Sequence, residues 1–314
     1  MNAIFDGLFS IINIPLSWVL NFLSDICGGS FAWALVLFTL FINVCMVPLS
    51  IKSQKSSVGQ MRIKPKLDEL KKKYGDDKQR YSEEMQKLYQ EENISMGGGC
   101  LPMIIRMVFM LSVYSLIRSP ITYLMGVGKD VVEAAWPTVR AAAGLAENAV
   151  VDQIRMLSEV QKDPSLSAEI AAKLGEVDFH LWGLDLTDTP KFGWNVVESW
   201  QSIWLIPILA FAAQMLTSVV SMLMQKKLNP EAPSMAGMML TMPLMSLFIG
   251  FSLPGAVGFY WICSSLIGSA VQTGVQIFYG PHKMLARERA KSIVKVWETE
   301  KKYIENRVED KEEK

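Results

Sequence analysis

The chain has 314 residues, half of them hydrophobic, with 19 Met, 9 Trp and a formal net charge of +0. Such a composition argues against an ordinary soluble domain and suits a membrane protein, because the charges are concentrated in a few segments and nearly missing from the long apolar runs between them.

Residues 1–29 have no positively charged start, and "SDICGG" lacks the small-residue pattern of a cleavage site, so a removed signal peptide is not expected. Asp6, Ser10, Asn13, Ser17, Asn21 and Ser24 recur every three or four positions on an otherwise greasy segment. This spacing predicts an amphipathic helix at the outer interface, with Pro15 as a kink point. A sixth span is the alternative; it would place the N-terminus inside with no positive charge to hold it there.

Five spans are expected: 30–51, 100–125, 201–225, 236–253 and 254–280. The last two form a tight hairpin around "LPGAVG". Between the first two, at 52–99, "PKLDELKKKY" and "KQRYSEEMQKLYQEEN" are strong helix formers joined by "GDD", a helical hairpin. Its charges are mixed in sign, as on a solvated face, and no specific nucleic-acid motif is present. The segment 126–200 is helical in part; its stretch 127–178 is Ala-rich, and no role for it follows from the residues.

Orientation follows from Lys and Arg. The segment 52–99 carries 11 basic residues, the loop around 226–235 two, and the tail 281–314 ten; these are read as cytoplasmic. The segment 127–200 has 6 basic against 12 acidic residues, and the first 51 residues contain no Lys or Arg. The N-terminus is therefore expected outside and the C-terminus in the cytosol.

Chemistry of the usual enzymatic kind is not expected. Cys27, Cys45, Cys100 and Cys263 are scattered without a CxxC pair, His180 and His282 fall on opposite sides, and no metal, nucleophile-elbow or phosphate-loop motif occurs. No cofactor or metal is implied.

Polar residues inside the spans carry more information. Gln214, Ser218, Ser221 and Gln225 form one stripe on the third span, and Trp261, Ser265, Gly268 and Gln272 another on the fifth; Thr39, Asn43 and Ser50 share a face of the first. Asn43, Arg106 and Gln272 lie about 12, 8 and 10 Å from the assumed cytoplasmic ends. Arg106 stands out most, since a mid-bilayer arginine costs about 2.5–3.5 kcal/mol on insertion scales and no span holds a carboxylate to pair with it. Snorkelling to the inner surface is the alternative for Arg106, and plain interhelical hydrogen bonding for the amides and hydroxyls. With the outer halves mainly apolar, the pattern suggests a wet cavity open to the cytosol. Met215, Met222, Met224, Met238, Met239, Met242 and Met245 suit a surface that repacks around varied apolar partners, or simply fill gaps.

Several ordered stretches together resemble the YidC-type membrane protein insertases: the run from "VPLSIKSQKSSVGQMRIKPKL" through "GGGCLPMIIRM", then "HLWGLDLTD", "WLIPILAF" and "SLPGAVGFYWICSS". The resemblance covers roughly 31–125 and 179–280. It implies an all-α polytopic membrane protein of the bacterial inner membrane, with five transmembrane helices around a hydrophilic groove open to the cytosol and a cytoplasmic helical hairpin. It also implies that the groove accepts the hydrophilic tail of a nascent membrane protein while its apolar segment passes into lipid. Nascent membrane proteins and the lipid bilayer are the implied partners, and the ribosome and a secretion channel further ones. Residues implied for the groove are Arg106, Asn43, Gln214, Ser218, Ser221, Trp261, Ser265 and Gln272. One departure matters: the family's groove arginine belongs where this chain has Asn43, and the second span usually has glutamine where this chain has Arg106. The expectation is that the cation has moved between groove walls. A non-catalytic assembly chaperone shares every feature named, and a transporter or channel fits less well because intramembrane carboxylates and inverted repeats are missing.

Overall fold

A computed structural model describes residues 2–92, 94, 101–144, 153–190, 200–228 and 236–312. Within these, the side chains of 2–10, 57, 60, 101–103, 106, 225, 227, 228, 236, 238, 239, 242, 281, 282 and 304–312 lie outside the description.

The described residues are helical nearly throughout. In order come α1 (Asn2–Ile26), α2 (Phe31–Cys45), α3 (Val47–Tyr74), α4 (Lys78–Glu91), α5 (Leu101–Arg118), α6 (Pro120–Tyr123), α7 (Lys129–Ala142), α8 (Gln153–Lys162) and α9 (Ala168–Ala172). A two-stranded hairpin follows, β1 (His180–Leu181) and β2 (Leu184–Asp185), then α10 (Leu205–Leu228), α11 (Ala236–Gly250), α12 (Gly255–Tyr279) and α13 (Pro281–Glu312). Prolines punctuate this order. Pro48, near the start of α3, has no N–H for the carbonyl one turn back, and the chain breaks at Met46. Pro120 likewise separates α5 from the short α6. Among the described residues, Phe31–Ser56 and Ser202–Met224 are helical runs long and apolar enough to cross a membrane, and Ile11–Ile26 and Met107–Arg118 are shorter apolar helices.

Internal contacts divide the chain into two compact units, Met1–Cys45 with Arg106–Val271, and Met46–Ile105 with Gln272–Lys314. The first holds one continuous core, in which Phe31, Phe38, Leu116, Ile117, Phe179 and Trp204 are almost wholly buried. Phe31 meets Phe179 with ring centres 4.9 Å apart, and Trp204 meets Phe251 edge-on at 5.2 Å. α10 and α11 pack along one another, and α1 packs on α2.

The polarity of α1 is inverted relative to a soluble surface helix. Asn13, Ser17 and Ser24 are buried, while Ile11, Ile14, Trp18, Phe22 and Ile26 are exposed. Its amides are used inward: Asn13 Nδ2 donates to Ser115 Oγ at 3.3 Å and Asn21 Nδ2 to the Tyr123 carbonyl at 3.0 Å. Both contacts join residues 102 apart, so the two stretches run side by side in the same direction. The stretch around α7, α8 and α9 joins the same core, with Val132, Val139, Ile154, Leu157, Val160 and Ile170 buried. Gln153 ties it to α6 by accepting from the Thr122 N–H at 2.9 Å and donating to Thr122 Oγ1 at 2.7 Å.

In the second unit α3 packs against both α4 and α13. Val58, Ile63 and Leu88 supply buried apolar contact. The link between α3 and α4 is short because Asp77 caps α4, its carboxylate accepting from the Arg80 N–H at 3.1 Å. Arg62 and Lys66 lie one turn apart on α3 and grip different elements, Arg62 pairing with Glu288 of α13 and Lys66 with Glu92 at the end of α4. The pairing raises the Lys66 pKa and lowers that of Glu92, through their mutual hydrogen bond and charge. Where α12 ends, Lys283 Nζ donates to the Ile277 carbonyl at 2.6 Å, satisfying one of the last open acceptors of the helix.

Candidate functional site

Burial is graded along three helices of the first unit. In α2 the buried positions are Phe31, Ala32, Ala34, Leu35, Phe38 and Thr39, and none follows among the described residues. In α10 burial stops at Ala213, after Ile206 and Ala210. α5 is the reverse: its described positions before Ser112 are partly or fully exposed, and Ser112, Val113, Leu116 and Ile117 are buried. Three helices are thus tightly packed at one end and loose at the other.

The closed end is sealed by backbone hydrogen bonds as well as packing. The Phe31 N–H at the start of α2 donates to the Asp178 carbonyl at 2.9 Å. At the start of α12 the Gly255 N–H donates to the Asp188 carbonyl and the Ala256 N–H to the Leu186 carbonyl, both at 2.8 Å. Helix starts carry N–H groups with no partner inside the helix, so these carbonyls replace what water would supply. The hairpin that presents them is braced by Asp185, whose Oδ1 accepts from the Thr187 N–H at 2.8 Å and from Thr187 Oγ1 at 2.7 Å. Nearby, the Asp178 carboxylate accepts from the His180 N–H and contacts His180 Nδ1, both at 2.9 Å, which lowers its pKa. Close approach of α12 to α10 requires glycine: a Cβ at Gly258 would stand 2.6 Å from Ile206 Cγ2.

On α2 and α10 the polar candidates begin where burial ends; on α12 they alternate with buried positions such as Cys263 and Gly268. Gln214, Ser218 and Ser221 are half-buried on α10. The exposed stripe of that helix is Leu205, Leu209, Leu216 and Leu223. At 3.6 residues per turn the three polar positions stand about 140–160° from Leu216, on the opposite flank. On α12, Trp261 and Ser265 are half-buried and stand about 100–140° from exposed Leu266. Asn43 of α2 is half-buried, and its Nδ2 donates to the Thr39 carbonyl at 2.8 Å, while Thr39 Oγ1 donates to the Leu35 carbonyl at 2.7 Å. Both side chains therefore bond back to their own helix. Gln272 is half-buried and belongs to the second unit. The Arg106 and Gln225 side chains lie outside the described residues; the Arg106 backbone is helical, seven residues before Val113 and eleven before Ile117. The sequence reading did not single out Leu186 and Asp188 as caps of the closed end, or Asp185 as the brace behind them. The Trp-Gly turn and the Asp-x-Thr brace within "HLWGLDLTD" were local signals for the hairpin itself, not for the helix starts that it caps.

A membrane protein insertase of Listeria innocua is 29% identical over 259 residues, which cover 81% of this chain and 67% of that protein. One from Dechloromonas aromatica is 26% identical over 268 residues, covering 85% of this chain and 36% of a longer protein. One from Haemophilus influenzae is 26% identical over 263 residues, covering 82% and 35%. The family described as 60Kd inner membrane protein matches residues 22–280, and the chain belongs to that family, which is the family of the YidC-type insertases.

Proposed function

We infer that the chain is a membrane protein insertase whose loose end is a hydrophilic groove. The observation that carries this is the coincidence of two boundaries: in α2 and α10 burial ends at Thr39 and Ala213, and the polar residues begin at Asn43 and Gln214. The name carried by the relatives, membrane protein insertase, supports the same reading. Five membrane crossings are assigned to α2 with the first turns of α3, α5, α10, α11 and α12. The excess of Lys and Arg in 52–99, which follows α2, supports an orientation with the loose end at the cytosol and the closed end outside.

The mechanism is physical. A groove wet through the inner leaflet shortens the apolar barrier that a substrate's hydrophilic tail must cross. Asn43, Gln214, Ser218, Ser221 and Ser265 supply polar lining, Trp261 an amphipathic wall, and Arg106 the fixed cation that attracts acidic tails. Outside-positive membrane potential assists each acidic charge by about 2.3 kcal/mol per 100 mV. Exposed apolar faces such as Leu216 and Leu223 border lipid, into which the substrate's own span is released.

The test is insertion of a single-span substrate with an acidic N-terminal tail into vesicles holding purified wild type, Arg106→Ala, or Arg106→Ala with Asn43→Arg. Insertion by the wild type, loss in the single variant and recovery in the double variant are expected. Undiminished insertion by Arg106→Ala refutes the relocated cation. Failure of the wild type to insert alone overturns the insertase reading in favour of an assembly chaperone.

A further inference from the structure

We propose that Trp182, at the tip of the β1–β2 hairpin, is a lipid anchor that sits in the headgroup zone of the leaflet at the closed end. Two properties of the residue demand an account. Trp182 has φ of +51°, a left-handed conformation that bulky side chains rarely adopt, and it is followed by Gly183 at +80°. A two-residue turn with both φ values positive is the kind that ordinarily takes Asn-Gly or Gly-Gly. The tryptophan there is also 85% exposed, so no packing within the protein offsets the strain. Backbone strain without internal compensation points to a function, here contact with something outside the chain.

The surroundings of the hairpin name the partner. Asp178, two residues before β1, is hydrogen-bonded to the first residue of α2, and Leu186 and Asp188, just after β2, cap α12. β2 also packs against the turn at Ser202–Trp204 that opens α10. Trp182 is thus held at the ends of three apolar helices. Two further exposed tryptophans mark the same ends, Trp33 near the start of α2 and Trp200 just before α10. An indole has a large apolar body and one N–H donor, which suits the boundary between acyl chains and headgroups, where tryptophans of membrane proteins collect. Trp33, Trp182 and Trp200 form a belt of this kind, and Trp182 continues it onto the hairpin that caps the seal. The hairpin is thereby fixed at a set depth and holds the closed end level with the lipid surface.

This inference rests on the proposed orientation, and the experiment separates the two. Trp182→Gly suits the turn, because glycine adopts positive φ freely, so the variant keeps the fold. Emission of the wild type minus that of Trp182→Gly in lipid vesicles reports Trp182 within the intact protein. The expected difference emission is blue-shifted, is lost in vesicles of lipid brominated near the glycerol end of its chains, and persists with aqueous iodide. A red-shifted difference quenched by iodide and untouched by brominated lipid overturns the anchor. Reaction of a Glu169→Cys variant with a membrane-impermeant maleimide on intact spheroplasts reads the side on which the hairpin's unit lies. Labelling from outside with iodide-quenched difference emission leaves the orientation standing and removes the anchor. Labelling only after lysis with lipid-quenched emission removes the orientation and keeps the anchor, in the other leaflet.

Discussion

Replacing Gly258 by alanine should loosen the closed end by about 1–3 kcal/mol, the usual cost of overpacking. The added methyl would stand 2.6 Å from Ile206 Cγ2 and 3.9 Å from its Cβ. Relaxed carbon contacts lie at about 3.5–4.0 Å, so roughly 1 Å must be found between α12 and α10. Ile206 cannot easily supply it. It is branched at Cβ, which leaves one strongly preferred rotamer in a helix, and it is 3% exposed. Ile206→Ala alone removes the clashing carbon but opens a cavity, at about 2–5 kcal/mol. In the double variant the new methyl occupies part of that space, so the two penalties should fall short of their sum by about 1 kcal/mol or more. The assay is thermal survival of detergent-solubilised protein on a sizing column, with the four proteins ranked under one protocol because unfolding in detergent is seldom reversible. Wild-type survival for Gly258→Ala, or penalties that simply add, would refute the steric argument and with it the close approach of the two helices.

Asp185→Ala removes both bonds that hold Thr187, whose side chain is 2% exposed, and should cost about 1.5–3 kcal/mol. Hydrogen exchange at the Gly255 and Ala256 amides should rise with it, and unchanged protection there would show that the brace does not hold the cap. Asn21→Ala gives up the bond to the Tyr123 carbonyl and should release α1 by about 1 kcal/mol, read as faster proteolysis in α1 with the rest of the chain intact. The pair Lys66 and Glu92 sets a pH window. Glu92 is shifted down, so its contribution is full above the ordinary carboxylate value and is lost as pH falls through the lowered one; Lys66 is shifted up, so its contribution is full below the ordinary ammonium value and is lost as pH rises through the raised one. Spin-label distances between α3 and the end of α4 should therefore broaden in strong acid, in strong alkali and at high salt, and a distribution indifferent to all three would dismiss the tie.

Much of the helical order was legible from local signals. Hydrophobic run length located α10, "GDD" located the turn before α4, and "LPGAVG" located the junction of α11 and α12. The polar stripe of α1 was legible as a stripe, but its direction was not, because periodicity gives a face and not what the face meets. The burial of Asn13, Ser17 and Ser24 and the contacts of Asn13 and Asn21 show that it turns inward. The break at Met46 has a local cause in Pro48, yet hydropathy runs smoothly across it and hides it. The candidate residues of α10 and α12 fall on flanks the 3.6-residue repeat already assigned. Asn43 differs, since a stripe cannot reveal that its amide folds back onto the Thr39 carbonyl. The caps supplied by Leu186 and Asp188 join residues about 70 positions apart, and no local pattern reports such a bond.

The two ends of the first unit meet the same physical demand in different ways. An unpaired backbone donor in an apolar setting costs several kcal/mol, and helix starts present such donors by construction of the helix itself. At the closed end the carbonyls of Asp178, Leu186 and Asp188 answer three of those donors, the N–H groups of Phe31, Gly255 and Ala256. The loose end carries side-chain amides and hydroxyls at half-buried positions; the Asn43 amide bonds to its own helix, and on the proposed mechanism water in the groove serves such groups. Filling the loose end with apolar side chains, for example Gln214→Leu with Ser218→Leu, would remove that demand and should strengthen helix packing. On the proposed mechanism the same change dries the groove and restores the full apolar barrier to a substrate's tail. A variant more stable in detergent and poorer at insertion is therefore the signature of a groove whose function rests on polarity the fold does not need. Equal insertion by that variant would mean the stripe serves packing alone.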